Sequence, residues 1–322
     1  MKWLHFVCCF LYTEIDEVRN MILFVSGRCD IPAFYSDWFF NRLHEGYVDV
    51  RNPYNEHQIS RIILDGNFID CILFCTKDPS PMLDRLDEIS FPFLFHVTLT
   101  GYHQDIEPGI PDKRKIIQAV KQLSEKIGKE RVIIRYDPIL LSPRYQPVYH
   151  EKAFASLCDQ LQGYVDTYII SFVDLYKNTR KNAARIQLRE MTESQMTEIG
   201  KRIGQVASRY QVHVQTCAEQ IDLHAYGITK GLCIGRDDLK RRLGQDVRLP
   251  IGKGVRDTCG CLPTVDIGDY NACAHYCAYC YANYDAKRIR ENMRKHDPKS
   301  SVLIGHIHAE DHIAIRKDNK KW

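Results

Sequence analysis

Residues 93–136 begin with FLFHVTLT (93–100), pass through a polar Gly- and Pro-containing stretch, and continue as DKRKIIQAVKQLSEKIGKERVIIRY (112–136). The first eight residues are a nearly continuous apolar run, as expected of a strand covered on both faces. From Asp112 the apolar residues take a helical period, with Asp112 as N-cap and Gly128 as stop signal. RVIIRY (131–136) then reads as a second strand. A strand, a helix and a strand joined by short connections imply a parallel pair.

The same unit recurs in both directions. Further strand candidates are MILFVS (21–26), VDVR (48–51), CILFC (71–75), TYIISFV (167–173) and VHVQT (212–216). Further helices are SDWFFNRLHEG (36–46), capped by Ser36 and stopped by Gly46, then EKAFASLCDQLQ (151–162) and ESQMTEIGKRIGQVASRY (193–210). So many repeated units predict an α/β fold of the TIM-barrel type, a full or partial β/α barrel, formed by a single domain over 21–322. Chemistry in such barrels gathers at the C-terminal strand ends. There the sequence places Arg28 and Asp30, Arg51 and Asn52, Thr76, Lys77 and Asp78, Thr98 and Thr100, Arg135 and Asp137, Asp174, and Cys217 with Glu219. Lys77, Arg135 and Asp137 are the candidates for binding substrate, since a guanidinium or ammonium suits a carboxylate.

Of the 322 residues, 44% are hydrophobic and 26% charged, which is the composition of an ordinary globular protein. A net charge of +3 does not by itself argue for nucleic acid. No run of 18 apolar residues suggests a membrane span. Residues 1–20 look superficially like a signal peptide, but acidic residues follow the apolar stretch and no small-residue cleavage site appears. We expect them to be an extension outside the fold, with Met21 as the natural start and a cytoplasmic location.

Cysteine usage is the outlier, with thirteen in all and seven between Cys217 and Cys280. Such a cluster in a large chain points to metal or redox chemistry more than to disulfides. CAHYCAYC (273–280) places Cys273, Cys277 and Cys280 in C-x3-C-x2-C spacing. Structural zinc and ordinary iron–sulfur clusters take four ligands. Three close thiols suggest a cubane with three irons held by protein and one left open. A zinc site would have to borrow His275 or a distant cysteine. Cys217, Cys233, Cys259 and Cys261 make four more, the number for a second 4Fe-4S cluster or one zinc, with unconnected buried thiols as the alternative. Cys8, Cys9, Cys71, Cys75 and Cys158 fall in apolar runs or helix faces and read as structural. Tyr270, Tyr276, Tyr279, Tyr281 and Tyr284 crowd the loop and read as packing around the metal centre.

CAHYCAYC resembles the C-x3-C-x-aromatic-C signature of the radical S-adenosylmethionine superfamily, and DIGDYNACAHYCAYCYAN (266–283) is similar to the cluster loop of spore photoproduct lyase-like members. The resemblance implies a 4Fe-4S cluster on Cys273, Cys277 and Cys280, S-adenosylmethionine on the open iron, and the backbone of Tyr279 near the adenine. It implies cleavage to methionine and a 5′-deoxyadenosyl radical, with flavodoxin or ferredoxin as electron donor. The superfamily's loop follows the first barrel strand, whereas here it lies near the C-terminus, so a circular permutation is expected. The chain from 21 onward also resembles the bacterial family named domain of unknown function 1848, through SGRCDIPAFYSDWFFNRLHEGYVDVRNP (26–53), TLTGY (98–102), RYDPI (135–139) and the cysteine loop.

The competing reading is a non-catalytic protein in which the cysteines hold zinc or a structural cluster. In that case the basic stretch Arg236, Lys240, Arg241, Arg242, Arg248, Lys253, Arg256 would contact nucleic-acid phosphate. The last segment reads as a helix (285–297), a short strand SVLIGHI (301–307) and a charged tail.

Overall fold

Most of the apolar runs become strands. The computed structural model describes residues 21–174, 179–180, 186–244 and 259–316, so the 1–20 extension with Cys8 and Cys9 lies outside the described residues. In chain order the strands are β1 (Met21–Val25), β2 (Tyr47–Asn52), β3 (Asn55–Ile63), β4 (Ile69–Thr76), β5 (Phe93–Thr98), β6 (Val132–Ile139), β7 (Thr167–Phe172), β8 (His213–Cys217), β9 (Ile228–Gly231), β10 (Val265–Asp266) and β11 (His312–Ile315). Eight of them form one parallel sheet in the order β10-β1-β4-β5-β6-β7-β8-β9. The helices are α1 (Ile31–Phe34), α2 (Ser36–Glu45), α3 (Lys113–Ile127), α4 (Pro147–Gln160), α5 (Glu193–Tyr210), α6 (Arg236–Leu243) and α7 (Ala286–Lys295).

Side chains alternate between the two faces of a strand, and here both faces are covered. Leu23, Phe74, Phe95, Ile134, Ile170 and Val214 share one core with apolar residues of α2, α3, α4 and α5. Phe74 stacks on Phe95 with centroids 4.6 Å apart, and Phe39 of α2 meets Phe74 edge-on. The opposite face, with Ile22, Cys71, Leu73, Leu94, Ile133 and Ile169, packs against Ile234, Leu239, Cys261 and Leu262. Burial on both faces is why these strands are continuous apolar runs.

The closed ring is not observed. Among the described residues β9 and β10 end the sheet without pairing to each other. Both are short, with four and two residues. The fold is therefore an α/β fold built on an open, eight-stranded parallel sheet.

Other expectations need correction. VDVR (48–51) lies outside the parallel sheet, in a separate sheet ordered β11-β3-β2. A two-residue connection, Pro53-Tyr54, can join only an antiparallel pair, and β2 pairs with β3 in that sense. There Asp49, fully buried, faces Arg61, whose Nε and Nη2 donate to its carboxylate at 2.8 and 2.7 Å. Asn52 donates to Gln58, and Arg51 donates to both carboxylate oxygens of Asp311 at 2.9 Å, so neither sits at the end of a strand of the main sheet.

Ser36 is the first residue of α2, not its cap: Tyr35 holds the cap position without a side-chain bond. The preceding α1 takes the cap instead, from Asp30. Helix α4 starts at Pro147, four residues before the expected boundary, because proline fits the first turn. Residues 301–307 are not a strand. Their neighbourhood is held by α2 and β2: Trp38 Nε1 donates to Ser300 O at 2.9 Å and Asp49 N to Ser301 O at 3.0 Å. Gly305 then turns the chain in the left-handed region with φ 76°. Among the described residues no helix is long and apolar enough to cross a membrane.

Two glycines of α5 separate packing from propensity. A Cβ on Gly204 would lie 2.1 Å from the carbonyl oxygen of Tyr226, whereas one on Gly200 would meet only the side-chain tips of Leu223. Alanine gains about 1 kcal/mol of helix propensity at either site. Overpacking against backbone costs about 1–3 kcal/mol. Gly204→Ala should therefore destabilise the protein in urea melts by up to about 2 kcal/mol net, with Gly200→Ala near neutral or better. Equal effects would refute the assignment of Gly204 to a backbone contact.

Candidate functional site

The C-terminal edge of the parallel sheet is closed by the loop 267–285 that follows β10. Asp266, at the end of β10, accepts from Ser26 Oγ (2.8 Å), Gly27 N (2.7 Å), Arg28 Nε (3.2 Å) and Gly268 N (2.8 Å). Arg28 Nη2 also donates to the Asp266 carbonyl at 2.7 Å. This carboxylate fastens the turn after β1 to the start of the cysteine loop.

Asp30 fastens the far side. Its carboxylate accepts from Ala33 N in α1, from Thr76 Oγ1 (2.6 Å) and Lys77 N (2.7 Å) after β4, and from His275 Nε2 (2.8 Å) between the cysteines. Asp30 and His275 are both buried. Within the loop, Asn283 Oδ1 accepts from Ala272 N and Cys273 N at 2.8 and 3.0 Å, while its Nδ2 donates to Arg28 O. Asn271 Oδ1 accepts from Tyr284 N and Asp285 N. Two asparagine side chains thus staple the loop's ends together. Gly109 packs without a side chain against it: a Cβ there would fall 2.1 Å from Ala274 O.

Cys273 and Cys277 are buried and Cys280 is half-buried. Burial raises the Cys273 thiol well above its ordinary range, with Asp30 and the other two thiols adding to the rise. It pushes Cys277 up to about 12, against the pull of Lys77. The three thiols are thus within electrostatic reach of one another. Asn283 N donates to Cys280 Sγ at 3.3 Å, and the backbone of His275 donates to the Cys273 sulfur. Among the described residues no three His, Cys, Asp or Glu side chains converge as ligands of a metal ion.

Beside Cys277 lies a buried charge cluster. Glu107, 2% exposed, accepts from Lys77 Nζ (2.8 Å), Lys113 Nζ (2.6 Å), Thr100 Oγ1 (2.9 Å) and the Tyr279 hydroxyl. Burial alone would raise its carboxyl, but Lys77 and Lys113 outweigh it and hold the group at about 2. Lys113 also donates to the carbonyls of Thr100 and Tyr102 at 2.8 and 2.6 Å. Two ammoniums against one carboxylate leave this cluster net positive.

The sequence candidates fall into two groups. Lys77 is in the Glu107 cluster, bonded also to Tyr279 Oη at 2.8 Å, so the Tyr279 side chain is occupied, and the Tyr279 carbonyl accepts from Thr179 Oγ1 at 3.3 Å. Arg135 and Asp137 pair with each other, Nη2 to Oδ2 at 2.5 Å, and Ser171 Oγ donates to Asp137 at 3.3 Å. Neither is an open binding group. Cys217 and Cys233 are joined as a disulfide, with Cys259 and Cys261 packed beside them. Cys71 and Cys158 are buried in the core as expected. Of the basic stretch, Arg242 is buried, donating to Asp238, to Glu130 O and to Thr167 Oγ1, and Arg241 pairs with Asp238. Arg242 therefore does not present its charge to phosphate, Arg241 is exposed beside Asp238, and Arg248, Lys253 and Arg256 lie outside the described residues.

Glu107, Asn283 and Asp269 were not singled out by the sequence. Burial pushes the Asp269 carboxyl up to about 6, against Arg28 and Arg51, so it can exchange a proton near neutral pH. A Glu after Ile106 in a loop carries no local signal of burial. Only its lysine partners, thirty residues before it and six after, account for it.

Glu107→Gln should cost about 3 kcal/mol at pH 7, since it leaves two half-buried ammoniums without their carboxylate. The carboxyl titrates lower in the folded than in the unfolded chain, so its stabilisation is present above about 4.5 and is lost as pH falls towards about 2. Urea melts at pH 7 and at pH 3.5 should show the gap between wild type and variant narrowing. A gap independent of pH would show that Glu107 does not carry the charge assigned to it.

No curated protein sequence matches the chain. Among solved structures, a crystal structure of a “putative alpha-L-fucosidase” from Bacteroides thetaiotaomicron aligns over 70% of this chain and 83% of that one, at 13% identity and a TM-score of 0.26. A likeness that slight carries no argument about fold or function. A family model described as Domain of unknown function (DUF1848) matches residues 22–282, which takes in all of the parallel sheet but its first residue, Met21, and the three cysteines of the loop; the chain belongs to the DUF1848 family.

Proposed function

We propose that this protein is a radical S-adenosylmethionine enzyme, with Cys273, Cys277 and Cys280 as ligands of a 4Fe-4S cluster. The observation that carries the reading is the loop itself: three thiols within electrostatic reach, two of them buried, on a backbone stapled by Asn271 and Asn283 and anchored through Asp30. A cubane takes each thiolate on a different iron, so its ligands stand further apart than the ligands of one ion. The donor set fits that group better than a lone zinc. N–H donors at Cys273 and Cys280 suit thiolates, which need hydrogen bonds when buried.

When bound, the cluster would supply one electron and an open iron for reductive cleavage of S-adenosylmethionine. The chain's own residues would do the rest. The net positive Lys77–Glu107–Lys113 group lowers the cost of negative charge on Cys277. Tyr279, held by Glu107, fixes the backbone on which a nucleoside would lie. The apolar and tyrosine-rich surroundings would keep water from a reactive intermediate. Asp269, whose carboxyl is raised to about 6 by burial, would be able to exchange a proton there.

A partial, permuted barrel belongs to the same proposal. It draws support from sheet order, in which β10, the strand that leads into the cysteine loop, is the edge strand next to β1. An electron donor of the flavodoxin or ferredoxin type and a reducing, cytoplasmic setting follow from the chemistry proposed.

Anaerobically purified protein should carry about four iron and four sulfide at this site, with a reduced EPR signal that changes on adding S-adenosylmethionine. Cys277→Ala should abolish that signal and reduce 5′-deoxyadenosine formation to background. A cluster indifferent to S-adenosylmethionine, or formed equally well by the Cys277→Ala variant, would overturn the proposal.

A further inference from the structure

Four cysteines outside the loop meet on the sheet face lined by Ile22, Leu94 and Ile169. Cys217 ends β8, and its partner across the ladder is Gly231 at the end of β9, which brings Cys233 back beside it. The two sulfurs are bonded, with Cα atoms 6.1 Å apart. The segment leading into β10 is laid alongside by Leu262 N donating to Ile234 O at 2.9 Å. There Cys259 and Cys261 pack in the same apolar cluster as Cys217 and Cys233. The shell is apolar, with Ile234, Leu239 and Leu262.

We propose that Cys217, Cys233, Cys259 and Cys261 form a second metal centre, a tetrathiolate site for a thiophilic metal, separate from the loop at 273–280. A disulfide alone would account for Cys217 and Cys233. It would not account for a C-x-C pair brought against it from another segment. The set contains no carboxylate or imidazole, which selects zinc or an iron–sulfur cluster over harder ions. With Cys217 and Cys233 joined to each other, the set stands at two free thiols, so the bonded and metal-bound forms exclude one another. Metal entry begins with a dithiol reductant, which delivers two electrons and two protons to the Cys217–Cys233 bond and leaves as its own disulfide. The metal then replaces the four thiol protons, which pass to solvent. The centre would join the chain after β9 to the chain before β10, across the opening in the sheet.

The test uses the full chain with Cys273, Cys277 and Cys280 all changed to serine, so that failure of the radical proposal and failure of this one are distinguishable. After reduction by dithiothreitol it is offered zinc alone, or ferrous iron with sulfide, and its bound metal is measured. Binding of about one zinc, or of about four irons, per chain is expected, the two arms naming the metal. Adding Cys259→Ser and Cys261→Ser should abolish it. In the wild type, bound metal should protect all four cysteines from iodoacetamide, and a chelator should expose them, which needs no variant to fold. Metal content unchanged by Cys259→Ser with Cys261→Ser, or a Cys217–Cys233 bond that survives reduction with metal present, would overturn the proposal.

Discussion

The carboxylate of Asp30 is shared by three parts of the chain, two of which lie 46 and 245 residues away in sequence. A buried carboxylate is tolerated only when its lone pairs are filled, and here four donors fill them: Ala33 N, Thr76 Oγ1, Lys77 N and His275 Nε2. Hydrogen bonds to a charged group contribute about 1.5–3 kcal/mol each, so the site that these donors converge on is held far more firmly than the isolated loop could be. The alternative for Asp30, an unfilled charge away from water, penalises any arrangement in which the cysteine loop detaches. Position of the loop and placement of Lys77 are therefore two readings of one constraint.

Asp266 imposes a similar constraint on the opposite side, holding the turn at 26–28. Between the two carboxylates the chain runs through Cys29, whose thiol is fully enclosed and pushed far above its ordinary range by burial. Burial raises Cys29 and Cys277 alike, and each has a cation, Arg28 or Lys77, that pulls the other way.

Much of the parallel sheet was legible because burial on both faces leaves an unbroken apolar run, as in CILFC and TYIISFV. Caps at Asp112 and Gly128 were legible because the chemistry is local. What escaped was made by partners distant in sequence. NEHQISRII forms β3 despite its polar first half, since its pairing is with β2 and β11 and not with the main sheet. β10 has only Val265 and Asp266 to announce it. The cysteine spacing was visible at once, while the groups that position it, Glu107, Asn283 and Asp266, are ordinary loop residues until the fold brings them together.

The adjacency of β10 and β1 also bears on how the protein comes to be made. Ser26 and its partner Asp266 are separated by 240 residues. At about 5–20 residues per second, the ribosome delivers the second roughly 10–50 s after the first. During that interval β1 can pair with β4 but offers its other edge, Met21 to Val25, to the surroundings as an apolar strand without its neighbour. The nascent chain is thus most exposed to misassociation at its beginning, and the protection arrives with the same segment that carries the cysteines. Synthesis cut short before residue 265 would leave both a missing site and an adhesive edge, so truncated products should be aggregation-prone and not merely inactive.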